Sequence, residues 1–194
     1  EFDLTQFGIR SGQSVEYSPT TGYFAVSDAG SVLYLDEQLQ LVSSSARLTT
    51  QRIDGIAVMP DGRLVLSESA ISTSLWVLNP DLSLADTVYL GRSGISGMVA
   101  LDNETVVVPA SRDSAVEFVD VASGQREVFI PELSLPPTDV LVLPTGEYVF
   151  STPGGVLIKT SIDGEELLSS IPQGQVGPSV AFYIPPAPSA LVFG

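Results

Sequence analysis

One segment of this chain returns at a fixed spacing. Residues 57–67 carry the apolar run Ala57-Val58-Met59, a turn at Asp61-Gly62, and a second apolar run Leu64-Val65-Leu66. They align without gaps to residues 99–109, and those in turn to residues 141–151, an offset of 42 residues each time. An earlier copy runs through Glu16-Tyr17-Ser18-Pro19 to Tyr23-Phe24-Ala25-Val26. A later one opens at Ala181-Phe182-Tyr183 and ends on Leu191-Val192-Phe193. The turn pairs are Asp61-Gly62, Asn103-Glu104 and Thr145-Gly146. Asp, Asn and Gly tolerate the positive φ that tight hairpin turns often need. A third apolar run follows in each copy, for example Leu75-Trp76-Val77-Leu78. A more polar fourth run closes it, as in Asp86-Thr87-Val88-Tyr89.

Four strands in roughly 40–45 residues is the period of a β-propeller blade. The inner runs are nearly continuous in apolar residues, as expected of a sheet covered on both faces. The fourth runs turn polar, as expected at a rim. A two-sheet sandwich would not require repeats in constant register. The fold expected is therefore all-β: a single propeller domain over residues 1–194, of five blades with mostly four antiparallel strands each. Its units fall at 14–51, 52–93, 94–134 and 135–174. A fifth blade is assembled from 178–194 plus 1–9, so that an N-terminal strand pairs with the C-terminal blade and closes the ring. Five full units would outrun the chain by about one strand with its turn. That strand could be lacking in the last blade, follow in a longer protein, or be donated by another chain. Donation through the incomplete blade would make the protein self-associate, as an oligomer or a fibre.

Composition removes whole reaction classes. The chain has no Cys and no His, which excludes Cys–His and Ser–His–Asp catalysis and any Cys/His metal site. Eight basic residues against 23 acidic ones leave a formal charge of −15, so nucleic acid and anionic headgroups are repelled. No apolar run reaches the length of about 18 residues that a membrane-spanning helix needs. Strong acidity with a single Lys, Lys159, points to an extracellular, marine or salt-adapted origin, and the localisation expected is extracellular or cell-surface. The opening at Glu1 fits a removed secretory leader as well as a cloning remnant.

Asp54-Gly55-Ile56-Ala57-Val58-Met59-Pro60-Asp61-Gly62-Arg63-Leu64-Val65-Leu66-Ser67, followed by Ser74-Leu75-Trp76-Val77-Leu78, resembles the repeat of NHL-type and gluconolactonase-like propellers. The resemblance implies the fold. Propellers of this kind serve as lactonases, surface modules and interaction platforms alike, so it does not select a function. The lactonase-like members hold a divalent ion on the central axis with carboxylates and amides from the inner strands. The equivalent positions here carry Gln13, Asp54, Ser96, Thr138 and Ser179, of which only Asp54 is a carboxylate.

Calcium takes about six to eight oxygen ligands, so loop acids at one mouth of the ring could hold it. Asp28 and Glu68 occupy matching positions after the second strand of their units. Asp54 faces the same end, and Asp113 lies in the corresponding loop of the third unit. These four form the candidate metal set. They compete with the plainer reading of four solvated acids among 23. Gly91-Arg92-Ser93-Gly94-Ile95-Ser96-Gly97 lacks the nucleophile-elbow spacing, and no Walker loop surrounds Lys159. Trp76 reads as inter-blade packing. The function expected is a secreted or surface-exposed, non-enzymatic propeller. It would serve as a structural or binding module, with a protein partner or its own copy bound through blade five and no cofactor. The runner-up is a calcium-dependent hydrolase or lactonase with an axial carboxylate site.

Overall fold

The hairpin turn sets the local pattern. At Asp61-Gly62 the Met59 N–H donates to the Arg63 carbonyl at 2.8 Å, and the Gly62 N–H to the Met59 carbonyl at 2.9 Å. Gly62 has φ +88°, a conformation that costs glycine little and other residues much. The same bonds recur at Leu143 and Gly146, where φ is +86°. The middle copy has no glycine. There the Asp102 carboxylate accepts from the Glu104 and Thr105 N–H groups at 2.8 and 2.7 Å, so a side chain closes the turn instead. Turn tips also touch across units. Thr20 Oγ1 donates to the Pro60 carbonyl at 2.8 Å, and the Asp61 N–H to Asn103 Oδ1 at 2.9 Å.

The structure, a computed structural model, describes residues 14–28, 30–68, 74–91, 95 and 97–170. They form four antiparallel four-stranded meanders. The first blade contains β1 (Val15–Ser18), β2 (Tyr23–Asp28), β3 (Ser31–Leu35) and β4 (Leu41–Ser44). The second contains β5 (Ile53–Val58), β6 (Leu64–Glu68), β7 (Ser74–Leu78) and β8 (Leu84–Tyr89). The third contains β9 (Val99–Ala100), β10 (Thr105–Ala110), β11 (Ala115–Asp120) and β12 (Arg126–Ile130). The fourth contains β13 (Asp139–Val142), β14 (Tyr148–Ser151), β15 (Leu157–Thr160) and β16 (Glu166–Ser170). This is the all-β propeller arrangement that the repeat predicts. The blade count is corrected. Among the described residues there are four blades, not five, because the four units at 14–51, 52–93, 94–134 and 135–174 account for all sixteen strands. The fifth blade expected from 178–194 plus 1–9, and the ring closure it implies, lie outside the described residues.

The core lies between blades rather than within one. Strand periodicity sends alternate side chains to opposite faces. In β6, Leu64 and Leu66 join a cluster with Ala25, Val32 and Tyr34 of the first blade. Val65, between them, joins Val106, Val108 and Val119 of the third. In β10, Val107 faces the other way and packs with Phe150 and Ile158 of the fourth blade. Middle blades are thus buried on both sides, which is why their inner runs are uninterrupted in apolar residues. Trp76 packs against the cluster between the first two blades, as its sequence context suggests. The outermost strands face water: β4, β8 and β12 are largely exposed, and β16 leaves Leu167 at 52% exposure.

This layering predicts a contrast inside one blade. Leu75 is fully buried and Leu84 is 50% exposed. Leu75→Ala should lose about 2–5 kcal/mol in urea unfolding, and Leu84→Ala should stay within about 0.5 kcal/mol of wild type. Equal losses would show that the second blade is not packed between two neighbours.

Candidate functional site

Among the described residues, the inner strands β1, β5, β9 and β13 each pair on one side only. Their free edges carry backbone N–H and C=O groups that neither lie in a ladder nor belong to the apolar layers. They surround an open cavity of about 390 Å³. Its wall is mostly aliphatic and thioether, with Met59, Met98, Val99 and Val140 among the residues that line it. Two carboxylates enter this wall, Glu16 from the first blade and Asp139 from the fourth. Among the described residues, no Lys or Arg lines the cavity.

Asp139 begins β13, and its Oδ1 accepts from the Val140 N–H at 2.8 Å. The chain entering the third blade passes beside it: the Gly97 N–H donates to the Thr138 carbonyl at 2.9 Å. A methyl group on residue 97 would collide with Asp139 Oδ1 and with the Asp139 backbone, so only glycine leaves this carboxylate its place. Burial pushes the Asp139 carboxyl up, against the pull of the Val140 N–H. Glu16 is pushed up to about 7, first by burial and second by the negative charge of Asp139. Its surface is exposed because the cavity is open to water. Protein nevertheless surrounds it on most sides, and that surrounding low-dielectric matter governs its ionisation.

The four acids of the candidate calcium set occupy other places. Asp54, on β5, is held by Arg52, whose Nε lies 2.5 Å from its Oδ1. Glu68 ends β6 and accepts from Thr49 Oγ1 at 2.7 Å. Asp28 ends β2, and the Asp113 N–H donates to the Ala110 carbonyl at 3.0 Å within its turn. Among the described residues, no three acidic side chains gather closely enough to share an ion.

Sequence reading missed Glu16 and Asp139. The signals were present. Glu16 aligns with Ala57 when Pro19 is set on Pro60, so a charge stands where the repeat is apolar. Asp139 follows Thr138, one of the inner-strand positions considered for an axial ion, and aligns with Gly97 and Gly55. In a strand a one-residue step reverses the face.

Fold and cavity define the chain as a β-propeller. No family model matches the sequence, and no curated protein does. Solved structures do resemble it. A protein of unknown function from Bacteroides caccae superposes with TM-score 0.66 at 12% identity, covering 82% of this chain and 60% of that one. Kuenenia stuttgartiensis hydrazine synthase gives TM-score 0.65 at 20% identity, covering 84% and 49%. The β-propeller domain of Myceliophteria thermophila Cps50 (Swd1) gives 0.62 at 17% identity, covering 84% and 57%. The chain thus spans about half to three fifths of the length of these structures, and at such identities they share its fold alone.

The raised Glu16 carboxyl has a thermodynamic consequence. Its folded-state value of about 7 lies above the ordinary 4.5, so the native protein binds the extra proton between those limits. Stability therefore falls as pH rises from about 4.5 through about 7. Glu16→Gln should raise the melting temperature at pH 8, and the gain should vanish near pH 4. A gain independent of pH, or a loss at pH 8, would contradict the placement of Glu16.

Proposed function

We propose that this propeller is a non-enzymatic binding module, working outside the cell or at its surface, with its ligand site in the axial cavity. The observation that carries the reading is the cavity itself. It is a concave, mostly apolar hollow with a few converging polar groups and two perturbed carboxylates, the usual form of a small-ligand site. The charge of −15 supports a setting in which a strongly acidic surface is tolerated. Against a calcium-dependent hydrolase stands the engagement of two proposed ligands, Asp54 by Arg52 and Glu68 by Thr49. A fragment screen read by amide chemical shifts tests the binding site. Hits should move the signals of residues 57–59, 98–100 and 140–141 together. Shifts confined to the outer strands would place the binding surface elsewhere and sink the reading.

A specific observation also favours self-assembly. Outer strands are sheet edges, and charged side chains usually guard such edges. Asp86 stands in β8, Arg126 and Glu127 in β12, and Glu166 in β16. β4 has no charged residue, and its Leu41 and Val42 are 45% and 44% exposed. The association expected through a fifth blade falls on residues outside the described ones, whereas β4 offers an open edge within them. Strand addition at β4 by a second copy should give concentration-dependent oligomers in sedimentation velocity, and Val42→Lys should dissolve them. A wild-type protein that stays monomeric at high concentration would end this second reading.

A further inference from the structure

We propose that the axial cavity takes an aliphatic ammonium group, with the Asp139 and Glu16 carboxylates as its counter-charges and the apolar wall packing its carbon chain. The inference rests on the binding reading above and names the ligand class of that site.

Each alternative class meets a physical objection. Anions would enter a cavity whose charged side chains, among the described residues, are both acidic. A neutral apolar ligand would displace water from two carboxylates without replacing its hydrogen bonds, and uncompensated buried charge is costly. A calcium ion needs about six to eight oxygen ligands. The wall here supplies two carboxylates, while Met59, Met98, Val99 and Val140 present sulfur and carbon. Hard cations do not favour such surroundings. An ammonium group on a short alkyl chain meets both halves of the lining. Its N–H groups can donate to the two carboxylates and to the free inner-strand carbonyls. Its methylenes can cover the thioether and aliphatic wall, as amphipathic side chains do elsewhere.

The positions of the two acids support the choice. They come from the first and the fourth blade, so one cation between them would also tie together the first and last described blades. The Gly97 backbone packs against Asp139 Oδ1, and the Val140 N–H holds that same oxygen in orientation. The titratable groups lining the cavity are Glu16, Tyr17 and Asp139, among the described residues. A bound monocation would let Glu16 ionise near neutrality, so binding should release protons.

Two sources present the same chemistry: a free alkylamine, or a lysine side chain of a protein. Isothermal titration with n-butylammonium chloride and with a single-lysine peptide flanked by Gly and Ser separates them, since the tighter binder names the source. The expected results are saturable binding of at least one probe, with none for n-butanol. Asp139→Asn should weaken binding by roughly tenfold or more. Affinity should rise between pH 5.5 and pH 8, and this rise should flatten in Glu16→Gln. Melting curves establish that both variants fold. Equal binding by wild type and Asp139→Asn would overturn the inference, as would displacement of the amine by micromolar calcium chloride. Fragments that shift the cavity amides while neither ammonium probe binds would remove the ligand class and leave the binding site standing. No ligand of any class at the cavity would remove both.

Discussion

Apolar contact between successive sheets is the interaction on which the rest of this molecule depends. No disulfide, and no cofactor-binding Cys or His, is available to hold the blades. Each sheet is a flat meander that could not bury its own faces. Stacking solves this, because Leu64, Val65 and Leu66 of β6 meet the blade on either side in turn. β10 repeats the device with Val106, Val107 and Val108, all fully buried. Once these layers are filled, the position of every inner strand follows, and so does the hollow the inner strands surround.

That hollow is where the molecule departs from its own repeat. The second and third blades line it with apolar side chains, Ala57 and Val58 from β5 and Val99 and Ala100 from β9. The first and fourth blades instead contribute Glu16 and Asp139, and the low-dielectric wall raises both carboxyls. Two like charges near one another in such a place are unfavourable unless one takes a proton or a cation joins them. The packing between blades must supply the free energy that holds them there. Glycine at 97 shows the same local commitment: the backbone closes on Asp139 so tightly that a single methyl group would collide with it.

Much of the fold was legible in the sequence, because its cause is periodic. The 42-residue offset fixes strand order, and the turn pairs fix each hairpin. Uninterrupted apolar runs reveal burial on both faces. The blade count was harder, since the half-copy beginning at Ala181 suggested a fifth unit whose residues lie outside the described ones. The site was less legible. Acids at strand ends and in turns, Asp28, Asp54, Glu68 and Asp113, stand out in the sequence by their matching positions, and of these Asp54 is held by Arg52 and Glu68 by Thr49. Glu16 and Asp139 are marked only by the residues they align with, Ala57 and Gly97. Only the arrangement of the blades around one cavity brings Glu16 and Asp139, from the first and fourth blades, to the same wall.

The most direct measurement is a carbon-13 NMR titration of the Glu16 carboxyl, in the wild-type protein and in Asp139→Asn. Two acids from different blades on one largely apolar wall predict a midpoint near 7 for Glu16 in the wild type. In the variant the midpoint should fall, yet stay above the ordinary carboxylate range, because burial is the larger cause and Asp139 the smaller. An ordinary carboxylate midpoint that ignores the substitution would mean that protein does not surround Glu16, and that the blades do not meet around this cavity.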